Sequence, residues 1–404
     1  MKIALPISSF LPNAGGMEVG IHNLAKNLVD LGHEPIVITS YSIYRNLKKR
    51  KINFPYKVIF FYPRMFYFFA LNKNLGLFLS EKYFKLLQRI YKFDFWHITM
   101  GFPLGVMFIN YSIKNKVKNY VVRCVGEDIQ LDRDIGYGYS INTDNLRFIK
   151  KYLPLCKNLI SISKSISETY KDLGINSDAI HNITNGVSTE RFKPLSSKKK
   201  NHLRKRYGIL NDEKVLITLG RNHPKKNYSF LIKLIKEMKS KKINFKFFFV
   251  GQGVDKLKNN INSYDLSDRI ILIDTSNDFD SNEGQYPSSK IINYLLISDI
   301  FVFPSILESF GVVIIEAMAA GLPLVANEVP GSRDLISNNK TGFLSTKIDD
   351  THTFIKKINL LIKNKKIAKE MKVNSIREAR KYDWRKISIK YLKLYNKITK
   401  ENIN

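Results

Sequence analysis

Two glutamates stand out in the stretch PSILESFGVVIIEAMAAGLPLVA, which covers residues 304–326. Glu316 is a single charge within an apolar run, and a helix that is apolar on every face is normally buried. A lone buried carboxylate is destabilising by several kcal/mol unless something pairs with it. Glu316 therefore either forms an ion pair with a nearby Lys or Arg, or accepts hydrogen bonds from ligand hydroxyl groups such as those of a ribose.

Positive charges follow a second apolar segment. Residues 220–227 read GRNHPKKN and contain Arg221 and Lys226. In an open parallel sheet, ligands bind beyond the carboxyl ends of the strands, and a helix that begins near Val312 would direct its N–H groups and its dipole to the same place. This pattern predicts an anion site that needs no metal ion. A diphosphate fits the chemistry, both as a bound group and as a leaving group.

Strands and helices alternate in two blocks, which predicts an α/β fold with two doubly wound domains. A helix with apolar positions between Ile21 and Leu31 follows the first strand, and the tail after Asp350 has helical spacing throughout. The expected strands cover residues 2–7, 35–39, 95–99, 121–123, 159–163, 215–219, 245–250, 270–273, 299–304 and 323–326.

Composition limits the possible classes of protein. The 404 residues carry 66 Lys+Arg against 35 Asp+Glu, a net charge of +31. Such a surface attracts polyanions, although the Lys, Ile and Asn bias of an AT-rich genome explains the charge equally well.

Cys124 and Cys156 lie far apart, which excludes a disulfide scaffold and favours a reducing compartment. The apolar stretch 58–79 is interrupted by Pro63, Arg64 and Lys73, so no transmembrane helix is expected.

The stretch at 304–326 resembles the nucleotide-sugar-binding segment of glycosyltransferase family 4. That segment has two glutamates, here Glu308 and Glu316, and an EAMA-x-G-x-P signature that includes Gly321 and Pro323. Ser309 stands where the family usually has Gly. Further similar motifs are Gly15-Gly16, Asn185-Gly186-Val187 with Phe192 and Pro194, Gly220-Arg221 with Lys226-Asn227, and Tyr382-Asp383-Trp384.

The resemblance implies the GT-B fold, with two Rossmann-like domains, a cleft between them and a C-terminal helix that crosses back to the first domain. We accordingly expect an acceptor-binding domain at residues 1–186, an interdomain linker at 187–206, a nucleotide-sugar-binding domain at 207–375 and the returning helix at 376–404.

It also implies a retaining, metal-independent hexosyltransferase whose nucleotide-sugar donor is a co-substrate, without a further cofactor. Arg221 and Lys226 would bind the diphosphate, Glu316 the ribose and Glu308 the donor sugar. The expected catalytic residues are Arg221, Lys226, Glu308 and His97. The expected donor-binding residues are Gly15, Gly16, Gly220, Arg221, Lys226, Glu308, Ser309, Phe310, Gly311, Val312 and Glu316.

The first domain departs from the family pattern at one motif. The family often has Asp-x-x-His-x-His at the end of a strand, with the second His facing the reacting sugar. Here the motif begins at Asp94, His97 matches the first His, which is more often structural, and Thr99 replaces the second. Near Arg123, Val125 replaces another usual His. The sequence therefore does not identify which residues of this domain assist the chemistry.

Residues 54–92 mix aromatic rings with Lys and Arg. This mixture suits a membrane interface, where rings lie at headgroup depth and cations meet anionic lipid, although many of the rings could equally belong to the core. We therefore expect a cytoplasmic enzyme, peripheral on the inner face of the membrane. It would transfer sugar from a UDP- or GDP-sugar to a glycan acceptor, expected to be lipid-linked, in bacterial surface polysaccharide or lipopolysaccharide synthesis.

Other interpretations have weaker support. The triplets Asp132-Arg133-Asp134 and Asp278-Phe279-Asp280 could hold a metal ion, but neither follows a convincing strand. Gly251-Gln252-Gly253 lacks the third glycine of a dinucleotide fingerprint. The positive charge would also suit a nucleic-acid-binding protein, but the sequence contains no nucleic-acid recognition motif. A transferase-like scaffold without activity would not need an intact glutamate pair and cation clamp.

Overall fold

The computed structural model describes residues 1–13, 15–276 and 286–402, and these fall into two compact units. Residues 1–185 and the last helix of the chain form the first unit. Residues 186–276 and 286–383 form the second unit. No helix among these described residues has both the length and the hydropathy that crossing a bilayer requires.

The first unit is built around a parallel sheet. Its strands are β1 (Lys2–Pro6), β2 (Glu34–Thr39), β3 (Lys57–Phe60), β4 (Phe95–Thr99), β5 (Tyr120–Arg123), β6 (Leu159–Ser161) and β7 (Ile180–Asn182). Its helices up to residue 185 are α1 (Gly16–Asp30), α2 (Tyr41–Lys49), α3 (Met65–Leu71), α4 (Lys73–Tyr91), α5 (Val106–Lys114), α6 (Thr143–Tyr152) and α7 (Lys164–Asp172). The strand order is β3-β2-β1-β4-β5-β6-β7.

The second unit repeats this architecture. Its strands are β8 (Lys214–Leu219), β9 (Phe245–Val250), β10 (Ile270–Ile273), β11 (Ile300–Phe303), β12 (Leu324–Asn327) and β13 (Gly342–Ser345). Its helices are α8 (Ser197–Arg206), α9 (Tyr228–Ser240), α10 (Lys258–Ser263), α11 (Ser289–Ile297), α12 (Val312–Ala319), α13 (Pro330–Leu335), α14 (Thr351–Lys363) and α15 (Lys365–Ala379). The strand order is β10-β9-β8-β11-β12-β13, again parallel.

The apolar runs predicted as strands form these sheets because helices cover both faces of a parallel sheet, so its strands are apolar nearly throughout. In β9, FKFFFV, every residue except Lys246 is buried. Three strands, β3, β7 and β13, were not predicted. β3 is only half-buried at the sheet edge, β7 reads IHN, and β13 begins at a glycine.

The last helix, α16 (Trp384–Glu401), belongs to the first unit. It buries one face at helical spacing, including Ile387, Tyr391, Leu394 and Ile398. The boundary lies at residue 384 rather than at 376, because α15 continues through Ala379 within the second unit.

The stretch 187–206, expected as a linker, also lies in the second unit and ends in α8. The Ser196 side chain caps this helix by accepting a hydrogen bond from the Lys199 N–H at 3.3 Å. Arg204 on α8 donates to Asp299 Oδ2 at 2.7 Å. The highly charged stretch 187–206 is therefore part of the second unit and ends in a surface helix, and it is not a free linker.

Candidate active site

The strand order brings the two predicted segments together. β8 and β11 are neighbours in the second sheet, so the loops that follow them leave the same edge. The Ile306 N–H, after β11, donates to the Lys225 carbonyl, after β8, at 2.9 Å. The glycine-and-cation segment and the glutamate segment therefore form one edge of the second unit.

Close backbone packing shapes this edge. Gly251 follows β9, and a Cβ atom placed on it would lie 1.8 Å from the Gly220 carbonyl oxygen, so only glycine fits there. Tyr228, at the start of α9, donates its hydroxyl to the same Gly220 carbonyl at 2.6 Å. Sequence reasoning missed Tyr228, because one aromatic residue at a helix start looks like ordinary core.

Lys226 and Glu308 form a buried ion pair, with Nζ and Oε2 2.7 Å apart. The exposed fractions of the two side chains are 10% and 12%. The ammonium group also lies over the Phe303 ring, 4.7 Å from its centroid. The two residues that the resemblance assigned to diphosphate and sugar are thus already in contact with each other.

This pairing fixes the charge on Glu308. Burial alone would raise the pKa of its carboxyl group, but the charges of Lys226 and Lys225 and hydrogen bonds from Lys226 and the Ser309 N–H hold the pKa below its usual 4.5. Glu308 is therefore ionised at neutral pH and can only accept hydrogen bonds. Lys226 has three N–H donors, so it can contact a second anion without leaving Glu308.

Arg221 differs from Lys226, although the two were expected to act as one clamp. Its side chain is exposed and makes no hydrogen bond or ion pair with any residue of the described chain. A planar guanidinium group of this kind matches a phosphate with two parallel hydrogen bonds. Of the two cations, Arg221 is the one whose charge is not already balanced.

α12 begins where the glutamate loop ends. Gly311 caps it with a left-handed φ of +92°, a conformation that other residues rarely adopt, and Val312 is its first residue. Phe310 packs edge-on against Tyr382, with ring centroids 6.1 Å apart. The helix N-terminus adds a partial positive charge beside the Glu308 loop.

Glu316 is the fifth residue of α12 and is 4% exposed. Burial raises the pKa of its carboxyl group to about 8, and the charge of Arg191 lowers it only in part. No residue within the described ranges donates a hydrogen bond to this carboxyl group or forms an ion pair with it. The ion-pair alternative is therefore wrong for this structure, and Glu316 is mostly protonated at pH 7.

Two further polar atoms at this edge are buried without a hydrogen-bond partner among the described residues, Ser305 Oγ and Asn327 Oδ1. Asn327 ends β12 and donates through Nδ2 to the Pro304 carbonyl at 2.7 Å. Buried polar atoms are nearly always paired, so both atoms indicate a place for a ligand or water. Sequence reasoning missed them, because Ser and Asn after a strand usually mean a turn.

Gly15 and Gly16 lie in the first unit, where Gly15 caps α1 and Gly16 is its first residue. Both are exposed. A Cβ atom on Gly15 would lie 2.7 Å from Glu18 Oε2, so the Glu18 side chain would have to move to make room for it. Their assignment to donor binding stays a prediction.

His97 is not placed for catalysis, which corrects that assignment. It is fully buried in the middle of β4, and Nδ1 lies 2.5 Å from the Tyr395 hydroxyl of α16. Burial, and then the charge of Arg123, keep the pKa of the imidazole well below 6.5. A side chain sealed between a strand and a helix cannot touch a substrate, so His97 positions α16.

His97 belongs to a buried polar layer between the first sheet and α16. Arg123 is 1% exposed, and its Nη2 donates to Asn185 Oδ1. Thr99 and Arg123 are paired in register on adjacent strands. Within the described chain, several atoms of this layer have no hydrogen-bond partner: His97 Nε2, Thr99 Oγ1, Arg123 Nε and Nη1, Ser388 Oγ and Tyr391 OH.

The two Asp-x-Asp triplets receive no support as metal sites. Asp132 Oδ1 accepts the N–H groups of Asp134 and Ile135 at 3.1 and 3.3 Å, which is a local turn. The triplet at 278–280 lies outside the described residues. Among the described residues, no three His, Cys, Asp or Glu side chains form a metal-binding group.

Comparison with known proteins agrees with this architecture. The family described as Glycosyltransferase Family 4 matches residues 14–191. The family described as Glycosyl transferases group 1 matches residues 199–381. The first match lies mainly in the first unit and the second match lies in the second unit.

Individual relatives extend the match. The phosphatidylinositol N-acetylglucosaminyltransferase GPI3 subunit of Saccharomyces cerevisiae (strain YJM789) is 25% identical over 98% of this chain and 83% of its own length. The alpha-monoglucosyldiacylglycerol synthase of Acholeplasma laidlawii is 24% identical over 87% of this chain and 86% of its own.

Among solved structures, Anabaena Alr3699/HepE in complex with UDP-glucose superposes with a TM-score of 0.75. It is 20% identical over 98% of this chain and 100% of its own. At that identity the likeness concerns the fold. The two family matches show that this chain belongs to glycosyltransferase family 4. The likeness to HepE and the two parallel sheets show that it has the GT-B fold.

Proposed function

We propose that this chain transfers a hexose from a nucleotide-diphosphate sugar, linked to UDP or GDP, to a hydroxyl group of a lipid-linked glycan. The observation that carries the donor assignment is Glu316, a buried carboxyl group without a partner among the described residues, in the second turn of α12. Vicinal hydroxyl groups of a ribose would supply the hydrogen bonds that these residues do not.

The charges beside Glu316 suit the rest of such a donor. In our proposal Arg221 binds the diphosphate through its guanidinium group, Lys226 donates to it while remaining paired with Glu308, and the α12 N-terminus adds its partial charge. Glu308, held ionised by its lysine, accepts hydrogen bonds from hydroxyl groups of the sugar.

In the transfer, the bond between the anomeric carbon and the phosphate oxygen breaks, and its electron pair goes to that oxygen. The acceptor oxygen forms the new bond to the anomeric carbon, and its proton leaves to phosphate or water. Arg221 and Lys226 would stabilise the negative charge that develops on the leaving diphosphate. This cation set supplies the charge stabilisation without a metal ion, and we take the transfer to be retaining, as the family resemblance implies.

Relatives support the lipid acceptor and the donor class. One is named for phosphatidylinositol and another for diacylglycerol, both lipids. The HepE structure contains UDP-glucose. A role in bacterial surface polysaccharide or lipopolysaccharide synthesis, on the cytoplasmic face of the membrane, is part of the same proposal.

Thermal stabilisation by a panel of UDP-, GDP- and ADP-sugars, without added metal, tests the donor site. We expect one donor to raise the melting temperature of the wild-type protein and to have little effect on Glu316→Ala. Glu370→Ala, an exposed glutamate of α15 in the same unit, is the matched control and should respond like the wild type. If no donor stabilises the wild type, the donor assignment fails and an inactive scaffold becomes the better account.

A further inference from the structure

The first unit contains a groove lined mostly by apolar and aromatic side chains, and none of its lining residues was assigned to donor binding. It lies between α2, the edge strand β3 and the second half of α4, and its volume is about 540 Å³. Small-molecule sites typically have volumes of about 300–1,000 Å³. Val58, Phe60, Leu86 and Ile90 contribute to its apolar lining. We call it the β3 groove.

Exposed large apolar side chains are denser in residues 41–92, the segment that contains the β3 groove, than in the rest of the described chain. Of the eighteen exposed large apolar side chains in the described residues, eight lie between residues 41 and 92. Leu86 and Ile90 line the groove and are still 49% and 59% exposed. The others in this segment are Tyr41, Tyr62, Tyr67, Leu71, Leu75 and Phe78. Exposed apolar patches of this kind mark binding surfaces.

The same segment is strongly basic. Residues 41–92 contain twelve Lys and Arg residues and one acidic residue, Glu81. Lys48 and Lys57 line the groove, and each ammonium group lies over an aromatic ring. The distances to the ring centroids are 5.7 Å for Lys48 over Tyr44 and 5.0 Å for Lys57 over Tyr91. An apolar channel with cations in its walls is complementary to a hydrocarbon chain that ends in a negatively charged group.

We propose that the β3 groove binds one acyl chain of an anionic phospholipid of the bilayer, with the lipid phosphate held by Lys48 and Lys57. The exposed apolar side chains around it would then lie at headgroup depth. A single inserted chain adds to the attraction of basic residues for an anionic surface, and stable anchoring takes two such signals. This inference rests on the membrane association proposed above but not on the transfer reaction.

A soluble lipid tests the groove directly. Dihexanoyl-phosphatidylglycerol, used below its micelle concentration, should bind with 1:1 stoichiometry, as measured by isothermal titration calorimetry. Glycerol 3-phosphate, which has the charge but no chain, should not bind measurably. Dihexanoyl-phosphatidylcholine, which has the chain but no net charge, should bind more weakly.

Two variants separate the chain from the charge. Leu86→Gln with Ile90→Gln replaces exposed apolar side chains by neutral polar ones, so it leaves the charge of the groove unchanged, and it should abolish binding of the short-chain lipid. Lys48→Glu with Lys57→Glu should weaken flotation with vesicles of phosphatidylglycerol and phosphatidylcholine by about tenfold or more, because each basic residue contributes several-fold near an anionic surface. Lys198→Glu with Lys199→Glu, on the strongly basic α8 of the second unit, is the matched control and should change vesicle binding little.

Each failure has its own meaning. If vesicles bind but the short-chain lipid does not, or if the control variant loses as much vesicle binding as the groove variant, the attraction is only electrostatic and the groove proposal is overturned. If the wild type binds no vesicles, membrane association fails as well. A dimer that the Leu86 and Ile90 substitutions dissociate would assign the groove to a second copy of the chain and also overturn the proposal. Donor stabilisation is unaffected by any of these results.

Discussion

Each unit keeps a titratable side chain buried and uncharged, but one is an acid and the other a base. In the second unit, burial raises the pKa of Glu316 to about 8. In the first unit, burial and the Arg123 charge lower the pKa of His97 well below 6.5. Glu316 has no hydrogen-bond partner among the described residues, whereas His97 shares one with Tyr395 under α16.

The difference in hydrogen bonding indicates different roles. The Glu316 carboxyl group is available to a ligand, whereas the His97 imidazole contributes to the fold. Glu316 lies in the helix that begins beside the Lys226–Glu308 pair, and no described residue satisfies its carboxyl group. His97 is part of a layer that the last helix closes. Substitution of Glu316 should therefore change donor binding, whereas substitution of His97 should change stability.

Lys226→Met should have the largest effect on the transfer rate. Measured beside His97→Gln, it compares a residue of the proposed donor site with a residue of the fold. Removal of one preorganised donor near a developing charge lowers kcat by about 100- to 1,000-fold. His97→Gln should leave the transfer rate within about twofold, because a positioning residue contributes no charge to the reaction. Steady-state rates with the donor identified by the panel measure both.

Lys226→Met also leaves the Glu308 carboxylate buried and unpaired, which destabilises a protein by about 3–5 kcal/mol. The double variant Lys226→Met/Glu308→Gln controls for this. It should regain most of the lost stability and none of the lost activity. Recovery of activity in the double variant would show that Lys226 supports the fold only.

Glu316→Gln should stabilise the free protein at neutral pH. The unfolded carboxyl group has a pKa near 4.5 and the folded one about 8, so the folded state holds the proton more tightly and stability is lost as pH rises through this window. At pH 7 the loss is about 3 kcal/mol. Urea unfolding at pH 5, 7 and 8 should show that the glutamine variant lacks this loss, while it binds the donor more weakly than the wild type.

The Glu316→Gln variant also shows which result would contradict this prediction. A stability profile that stays parallel to that of the wild type from pH 5 to 8 would mean that Glu316 is ionised in the free protein. The contrast with His97 would then disappear.

His97→Gln should have the smallest effect of these substitutions. The pH dependence of stability that it removes is opposite in sign to that of Glu316. The folded imidazole has a pKa below the unfolded 6.5, so stability is lost as pH falls through 6.5, when the unfolded state takes up a proton that the folded state refuses. The variant should therefore be less sensitive to acid between pH 6.5 and 5 and unchanged in its sensitivity above pH 7. Unfolding midpoints at pH 5, 6.5 and 8 measure this, and equal acid sensitivity in both proteins would contradict it.

Much of this site could be predicted from sequence because its signals are local. Val215–Leu219 is an apolar run followed by a glycine and cations, and Glu316 is one charge in an apolar helix. The sheet order then follows from the doubly wound pattern. Segments distant in sequence, such as 220–226 and 305–312, meet because parallel strands share one carboxyl edge.

Burial and pairing could not be predicted in the same way. His97 lies within β4 and Lys226 follows β8, and both have suitable chemistry. His97 is covered by Tyr395, almost 300 positions later in the chain, and Lys226 is paired with Glu308. Such long-range contacts leave no local pattern. The half-buried β3 and the polar β7 were missed for a related reason, since neighbouring elements stabilise them more than their own sequence does.

The division of the first unit between the two ends of the chain has a consequence for biosynthesis. α16 covers His97, but the ribosome makes this helix only after the whole second unit. Domains usually fold in the order in which they are synthesised. Here synthesis of the first unit begins before the second unit and is completed after it. A chain cut at residue 383 would contain the second unit, beside a first unit without the helix that covers its polar layer.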